Sequence, residues 1–202
     1  MIRADRNGGI LTLTIDRPDK ANSLTAEMLS DLAKQAESAG DARVMVLTGA
    51  GKVFSAGADL DAARAGLATS LDWERLSTAI AGFPGLAIAA LNGTVAGGAM
   101  GMVLACDLRI AVPAARFFYP VMKLGFLPQP SDPARLAALV GPARAKLILM
   151  AGQKIDAATA LDWGLVDRVS EAGALMSDAH ALAADTLAAS PDHAAAIKAL
   201  VP

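Results

Sequence analysis

The chain has 202 residues and a formal net charge of -2, with 54% hydrophobic but only 4% aromatic residues. That length suits one domain of residues 1–202 with a substantial core, built here from small aliphatic side chains. The near-neutral charge gives neither the basic footprint of a nucleic-acid binder nor a polybasic membrane surface.

The N-terminal MIRADRNGG has no apolar core of a signal peptide, and Cys106 is the only cysteine, which excludes an intrachain disulfide. Both point to a reduced, cytoplasmic setting. Gly9–Asp16 alternates and is rich in Ile, Leu and Thr, the pattern of a strand; Arg17-Pro18-Asp19-Lys20 then breaks the ladder. Thr25 opens a helix that runs to about Ser38. Val44–Thr48 is a continuous apolar run, as in a strand covered on both faces. A Gly-rich segment from Gly49 to Gly57 follows, and helical periodicity returns over Asp72–Ala81.

From Leu76 to Cys106 there is no charged residue, a length sufficient to cross a bilayer. Gly82, Pro84, Asn92, Gly93, Gly97 and Gly98 divide it, because Pro removes a backbone donor and Gly weakens a helix. The stretch therefore reads as a helix end, a buried strand Leu86–Leu91, a turn, and a buried helix ending near Cys106. Leu108–Val112 is a further short strand. The second half predicts helices starting at Ser131, at Gly141-Pro142 and at Asp156, a short strand Leu165–Ser170, and a long Ala-rich helix over Glu171–Ala189. Strand–helix alternation followed by helices indicates an α/β layered fold with a helical C-terminal part.

The glycines restrict the ligand. Gly49-Ala50-Gly51-Lys52 follows a strand, but a Walker loop requires Gly where Val46 stands and Ser or Thr where Val53 stands. Gly93, Gly97, Gly98 and Gly101 do not have dinucleotide-fingerprint spacing either. Ser55-Ala56-Gly57-Ala58-Asp59 and Asn92–Gly98 each follow a strand, with small residues that let a ligand approach backbone N–H groups. Two such turns can aim two donors at one oxygen, which is an oxyanion hole; tight turns also need glycine for purely structural reasons.

The strings Ile15–Leu24 (IDRPDKANSL), Val46–Leu60 (VLTGAGKVFSAGADL) and Asn92-Gly93 through Gly98 to Cys106-Asp107 resemble the crotonase, or enoyl-CoA hydratase/isomerase, family in order and spacing. Pro120, Gly125, Pro128 and Arg135-Leu136 continue the match, which covers about residues 10–198. The resemblance implies a spiral of repeated ββα units over residues 1–140 and a helical region over 141–202. It implies an acyl-coenzyme A ligand whose thioester carbonyl lies between the N–H groups of Ala58 and Gly98. Lys20, Ala21, Ser23, Ala56 and Leu60 would line the coenzyme pocket, and Val121 and Gln129 would face the substrate. No cofactor is implied beyond the coenzyme A of the substrate itself; a homo-oligomer, trimer or hexamer, is.

Several positions depart from the family. Its two glutamates, the general acid and base of hydration, fall on Gly101 and Val121, and neither can move a proton. Asp61 stands where many relatives carry a Lys for the coenzyme phosphates, with Arg64 or Lys20 as substitutes, and the family usually continues for two more helices. Asp132, on the loop Gln129–Pro133, is the candidate replacement acid or base; the structural alternative is a cap or first-turn acid of the following helix. Tyr119 is a proton donor or a core residue beside Phe117-Phe118. Gln129 either holds a water or a substrate carbonyl or is simply solvated; Asp72 and Glu74 read as solvated, Asp107 as bonded to backbone, and His180 and His193 as surface residues. These features predict an isomerase, decarboxylase or thioester hydrolase rather than a hydratase, or else a non-catalytic acyl-CoA-binding or scaffold protein.

Overall fold

In the computed structural model, which describes residues 1–201, the strands separate into a six-stranded sheet and a four-stranded sheet. β1 (Ile2–Asn7) and β2 (Ile10–Ile15) form an antiparallel hairpin, and the following helix α1 (Ala26–Glu37) carries the chain to β3 (Val44–Gly49), parallel to β2. Thr25 caps α1 by accepting from the N–H of Met28 at 3.3 Å, as its position predicted.

From β3 onward the chain repeats one pattern. A long strand enters the first sheet, a short strand enters the second, and a helix returns the chain. Thus β3 is followed by β4 (Val53–Ser55), α2 (Leu60–Arg64) and α3 (Asp72–Ala81); next come β5 (Leu86–Leu91), β6 (Thr94–Ala96) and α4 (Ala99–Leu104). A third turn comprises β7 (Leu108–Ala111), β8 (Arg116–Phe118), α5 (Val121–Leu124) and α6 (Asp132–Val140), with α7 (Pro142–Leu149) packed on α6. The last elements are β9 (Ile155–Asp156), α8 (Ala157–Trp163), β10 (Arg168–Val169), α9 (Leu175–Leu182), α10 (Ala184–Ala188) and α11 (Pro191–Leu200).

The first sheet runs β1-β2-β3-β5-β7-β10, parallel throughout except for β1; the second runs β4-β6-β8-β9, with β9 antiparallel. Parallel strands are buried on both faces, which explains why Val44–Leu47 and Ala87–Leu91 are solvent-free and aliphatic. The small residues of β5 let α9 pack close against it. Two asparagine side chains, the buried Asn22 and the half-buried Asn92, replace missing ladder partners at the strand-to-strand turns. Asn22 donates to the carbonyls of Ala50 and Val53 and accepts from Arg17 N–H, while Asn92 accepts from Gly49 N–H and donates to Gly51.

The uncharged run Leu76–Cys106 is divided among α3, β5, β6 and α4, and among the described residues no helix is long and apolar enough to cross a membrane. Three expectations need correction. The hairpin strand β1 was not legible, because its outward face is Arg and Asp and only Ile2 is partly covered. The strand expected over Leu165–Ser170 is only Arg168–Val169; Leu165 and Val166 belong to the turn after α8 and anchor it in the core. The long helix over Glu171–Ala189 is two helices. Glu171–Ala174 is a turn, and the chain bends at Ala183, whose N–H is shared between the carbonyls of Ala179 and His180 as its methyl packs into the core.

Candidate functional site

β4 and β6 are parallel neighbours, with Ser55 opposite Val95, so the turns leaving them lie side by side. Gly57 sits at φ +86°, and a Cβ there would stand 2.8 Å from the Ala96 carbonyl oxygen and 3.3 Å from Gly98 N. No side chain fits, and the left-handed backbone favours glycine independently. Ser55 braces the turn: its hydroxyl donates to the Asn22 carbonyl at 2.8 Å and accepts from Gly57 N–H at 3.1 Å. Leu24 holds the other side, donating to the Gly57 carbonyl and accepting from Asp59 N–H, each at 2.8 Å. Ala58, between those two bonds, keeps its own N–H without a partner among the described residues, and so does Gly98. Both residues are half-buried, within reach of a ligand. Asp59 accepts from the first N–H groups of α2 and from Arg17 at 2.8 Å; the Arg17 bond holds its carboxyl below the usual carboxylate range.

The second wall is made of side chains. Gly98 and Gly101 are three positions apart at the start of α4 and share one face. A Cβ on Gly98 would stand 3.0 Å from the Trp73 ring of α3, and one on Gly101 only 2.8 Å from Oδ1 of Asp132. Asp132 is 1% exposed. Its Oδ2 accepts from the Tyr119 hydroxyl at 2.8 Å, and its Oδ1, the oxygen nearest Gly101, has no partner. Burial pushes the Asp132 carboxyl up to about 6, with the Glu74 charge adding to the rise; the Tyr119 bond and the Arg135 charge oppose it. Tyr119 is shifted upward by burial and by the neighbouring Asp132. A carboxyl raised to about 6, with one buried oxygen left unpaired, is suited to take or give a proton.

α3 is tied to the start of α6. Glu74 accepts from the backbone N–H of Ser131 at 3.2 Å and from its hydroxyl, and Arg135 donates to Ser77 Oγ at 3.0 Å. These bonds fix Trp73 and Asp132, on two separate helices, against the two glycines of a third.

The enoyl-CoA hydratase/isomerase family model matches residues 5–201. The chain belongs to this family. It is 38% identical to the carnitinyl-CoA dehydratase of Citrobacter koseri, over 96% of this chain and 77% of that protein. Among solved structures, Pseudomonas aeruginosa DspI matches with a TM-score of 0.90 at 34% identity, covering 99% of this chain and 85% of the other. An enoyl-CoA hydratase/isomerase from Pseudoalteromonas atlantica matches with a TM-score of 0.90 at 30% identity, covering 99% and 82%. The spiral expected from the sequence is thus the fold of this hydratase/isomerase member.

The residues named from the sequence fall in two groups. A bond from Ala56 N–H to the Ala21 carbonyl, 3.0 Å, brings the Lys20–Ser23 segment beside the donor turn. There Lys20 and Ala56 are exposed, Ala21 is half-buried, and Ser23 is buried with its carbonyl and hydroxyl facing Arg17. Leu60, 76% exposed, opens α2 at the same rim. Arg64 is paired with Asp61 at 3.0 Å on the surface. Val121 is buried at the start of α5, and Gln129 takes part through its backbone, accepting from Asp132 N–H at 3.1 Å.

Asp107 bonds the N–H of Ala87 at 2.7 Å, as read from the sequence, and pairs with Lys198; His180 and His193 are exposed. Two readings change. Glu74 is not a solvated helix residue but the acceptor for Ser131, because α6 begins against α3. Asp132 lies in the first turn of α6 yet caps nothing: its carboxyl turns inward to Tyr119. Trp73 was not singled out at all, since a lone Trp on an amphipathic helix looks like core. The available signal was Gly101 itself, a helix-interior glycine whose poor propensity marks a place where something else needs the room. Among the described residues no group of three His, Cys, Asp or Glu is placed to hold a metal ion.

Proposed function

We propose that this protein binds an acyl-CoA thioester and activates it as an enolate, with Asp132 as the proton-transferring group. The observation that carries the reading is the pair of unpartnered N–H groups of Ala58 and Gly98 on adjoining turns. Preorganised donors of this kind stabilise a developing oxyanion, each contributing about 2.7–4 kcal/mol in well-studied cases. The thioester carbonyl oxygen sits between them, and the coenzyme lies along Lys20–Ser23, Ala56 and Leu60, with Lys20 nearest the phosphates.

Ionised Asp132 takes a proton from the carbon next to the carbonyl. The C–H electron pair moves into the C–C bond, and the carbonyl π pair moves onto the oxygen held by the two N–H groups. Once the carboxyl has traded that proton for one from solvent, delivery to the same carbon gives exchange; delivery to the γ-carbon of the dienolate of a β,γ-unsaturated acyl chain gives an isomer. Tyr119 holds the carboxyl through its hydroxyl. Hydration has no comparable machinery, because Gly101 and Val121 stand where the family's two glutamates would be. A crotonyl-CoA assay is therefore expected to show negligible water addition.

The test is hydrogen–deuterium exchange at the α-carbon of acetyl-CoA in D2O, followed by NMR with wild type and Asp132→Asn. Enzyme-dependent exchange that the variant loses while still binding acetyl-CoA supports the assignment. Binding without exchange by the wild type would make the protein a holder of acyl-CoA, and robust crotonyl-CoA hydration would reveal an acid–base pair elsewhere.

A further inference from the structure

The donor pair and the carboxyl leave open how long an acyl group the site takes, and Trp73 bears on that question. Its indole lies flat against the turn that carries one donor: a methyl group built on Gly98 would stand 3.0 Å from Cδ2 and Cε2 and 3.1 Å from Cε3 of the ring. The ring is 3% exposed, so it occupies interior space beside the donor. It is also locked. Nε1 donates to the Leu67 carbonyl at 2.8 Å, and Leu76 and Ile80 bury the same helix behind it. One residue further on, Glu74 holds Ser131 at the start of α6; one turn on, Ser77 accepts from Arg135.

On the other side of the same α4 face stand Asp132 and Tyr119, 1% and 3% exposed. On the thioester reading, an acyl chain leaving a carbonyl at Gly98 along this face of α4 would run between the indole and the carboxyl with its tyrosine. Both are braced by hydrogen bonds rather than held by loose apolar contact.

We propose that Trp73 is the residue that limits acyl length, and that the site takes short acyl-CoA thioesters and refuses medium-length chains. The proposal rests on the thioester reading above. Each added methylene in an open apolar tunnel strengthens binding through burial of its surface. A chain that meets a fixed indole gains no such burial and must displace the ring, breaking the bond to Leu67 and disturbing the α3–α6 clamp. Replacing the indole by a small side chain removes that block, and neither N–H donor, Asp132 nor the coenzyme rim takes a hydrogen bond from the indole, whose Nε1 donates to Leu67.

Calorimetric affinities for coenzyme A, acetyl-CoA, butyryl-CoA and octanoyl-CoA, measured with wild type, Trp73→Ala and Trp73→Phe, test this. Wild type is expected to prefer acetyl-CoA over octanoyl-CoA by at least about tenfold. Trp73→Ala should reverse the order by a similar factor, since several methylenes become buried, while Trp73→Phe should keep the wild-type order. Should Trp73→Ala not fold, Trp73→Leu serves the same comparison. Wild type binding octanoyl-CoA as well as acetyl-CoA, or a folded small-residue variant with an unchanged order, overturns the proposal. If no thioester binds more tightly than coenzyme A itself in any of the proteins, the thioester reading falls and this proposal with it. That pattern is distinct from a length preference that Trp73 does not control.

Discussion

The site has two walls built by different means. One wall is backbone: the turns after β4 and β6, held by Ser55, Leu24, Asn22 and Asn92, present the N–H groups of Ala58 and Gly98. The other is side chains from two helices and a strand end: Trp73 on α3 and Asp132 on α6 meet the glycines at the start of α4, and Tyr119 after β8 holds Asp132. The backbone wall depends on small residues and tight turns, so few substitutions preserve it, whereas the side-chain wall depends on which residues fill one shared volume. Such a volume can be filled from different directions. Here the carboxyl reaches the space over Gly101 from α6 rather than from α4 itself. If the two turns form the proposed oxyanion site, chemistry there can change by moving the helix that supplies the acid while the donors stay where they are.

The largest expected effect breaks the side-chain wall alone. Asp132→Asn should lower α-proton exchange by about 10²–10⁴-fold, the usual weight of a positioned proton carrier. Acetyl-CoA binding, which the proposal assigns to the backbone wall, should change by no more than a few-fold; exchange kinetics with a parallel titration separates the two.

The same variant has an opposite effect on stability. Asp132 titrates higher in the folded protein than in the unfolded chain, near 6 against 3.8. Between those values the native state holds the extra proton, so stability falls as pH rises through the window. Asp132→Asn should therefore be the more stable protein at pH 7.5, by on the order of 2–3 kcal/mol for a shift of about two units. The advantage should vanish near pH 4. Denaturant melts at both pH values measure this, and an advantage independent of pH would remove the buried-charge explanation.

Gly101→Ala should destabilise the protein by about 1–3 kcal/mol, as overpacking does, because the new methyl meets Oδ1 of Asp132 at 2.8 Å. Combined with Asp132→Ala, the two effects should be strongly non-additive in a double-mutant cycle. Additivity would show that the two residues do not share the space.

The smallest effect is that of Tyr119→Phe. The Tyr119 hydroxyl favours the ionised carboxylate, so its loss should move the base limb of the exchange profile to higher pH. Exchange at pH 7 should fall several-fold and recover as the pH is raised, which a merely structural defect would not do.

The contrast between the walls also explains what was legible in the sequence. The buried strands Val44–Thr48 and Leu86–Leu91 and the two donor turns announce themselves locally, by apolar runs and by glycines next to strands. Asp132 was legible as a candidate because the family resemblance puts its two glutamates on Gly101 and Val121 and Asp132 follows the Pro-rich segment read as a loop, although the structure sets it in the first turn of α6. Its approach to Gly101, its bond to Tyr119, the Glu74–Ser131 clamp and the place of Trp73 were not, since each joins residues of separate elements, Glu74 and Ser131 being 57 positions apart. Nothing in the local pattern of either partner signals the other. The bend at Ala183 escaped for a similar reason: an Ala-rich stretch favours helix, and only the core it packs against interrupts it.

The most direct test is the carbonyl stretch of acetyl-CoA labelled with 13C at the thioester carbonyl, measured by difference infrared spectroscopy free and bound to the wild-type protein. If the N–H groups of Ala58 and Gly98 hold that oxygen, binding should polarise the carbonyl and shift the band to lower frequency than in water. The shift should persist in Asp132→Asn, which leaves both donors in place. A bound thioester whose carbonyl band stays at its aqueous position would contradict the assignment.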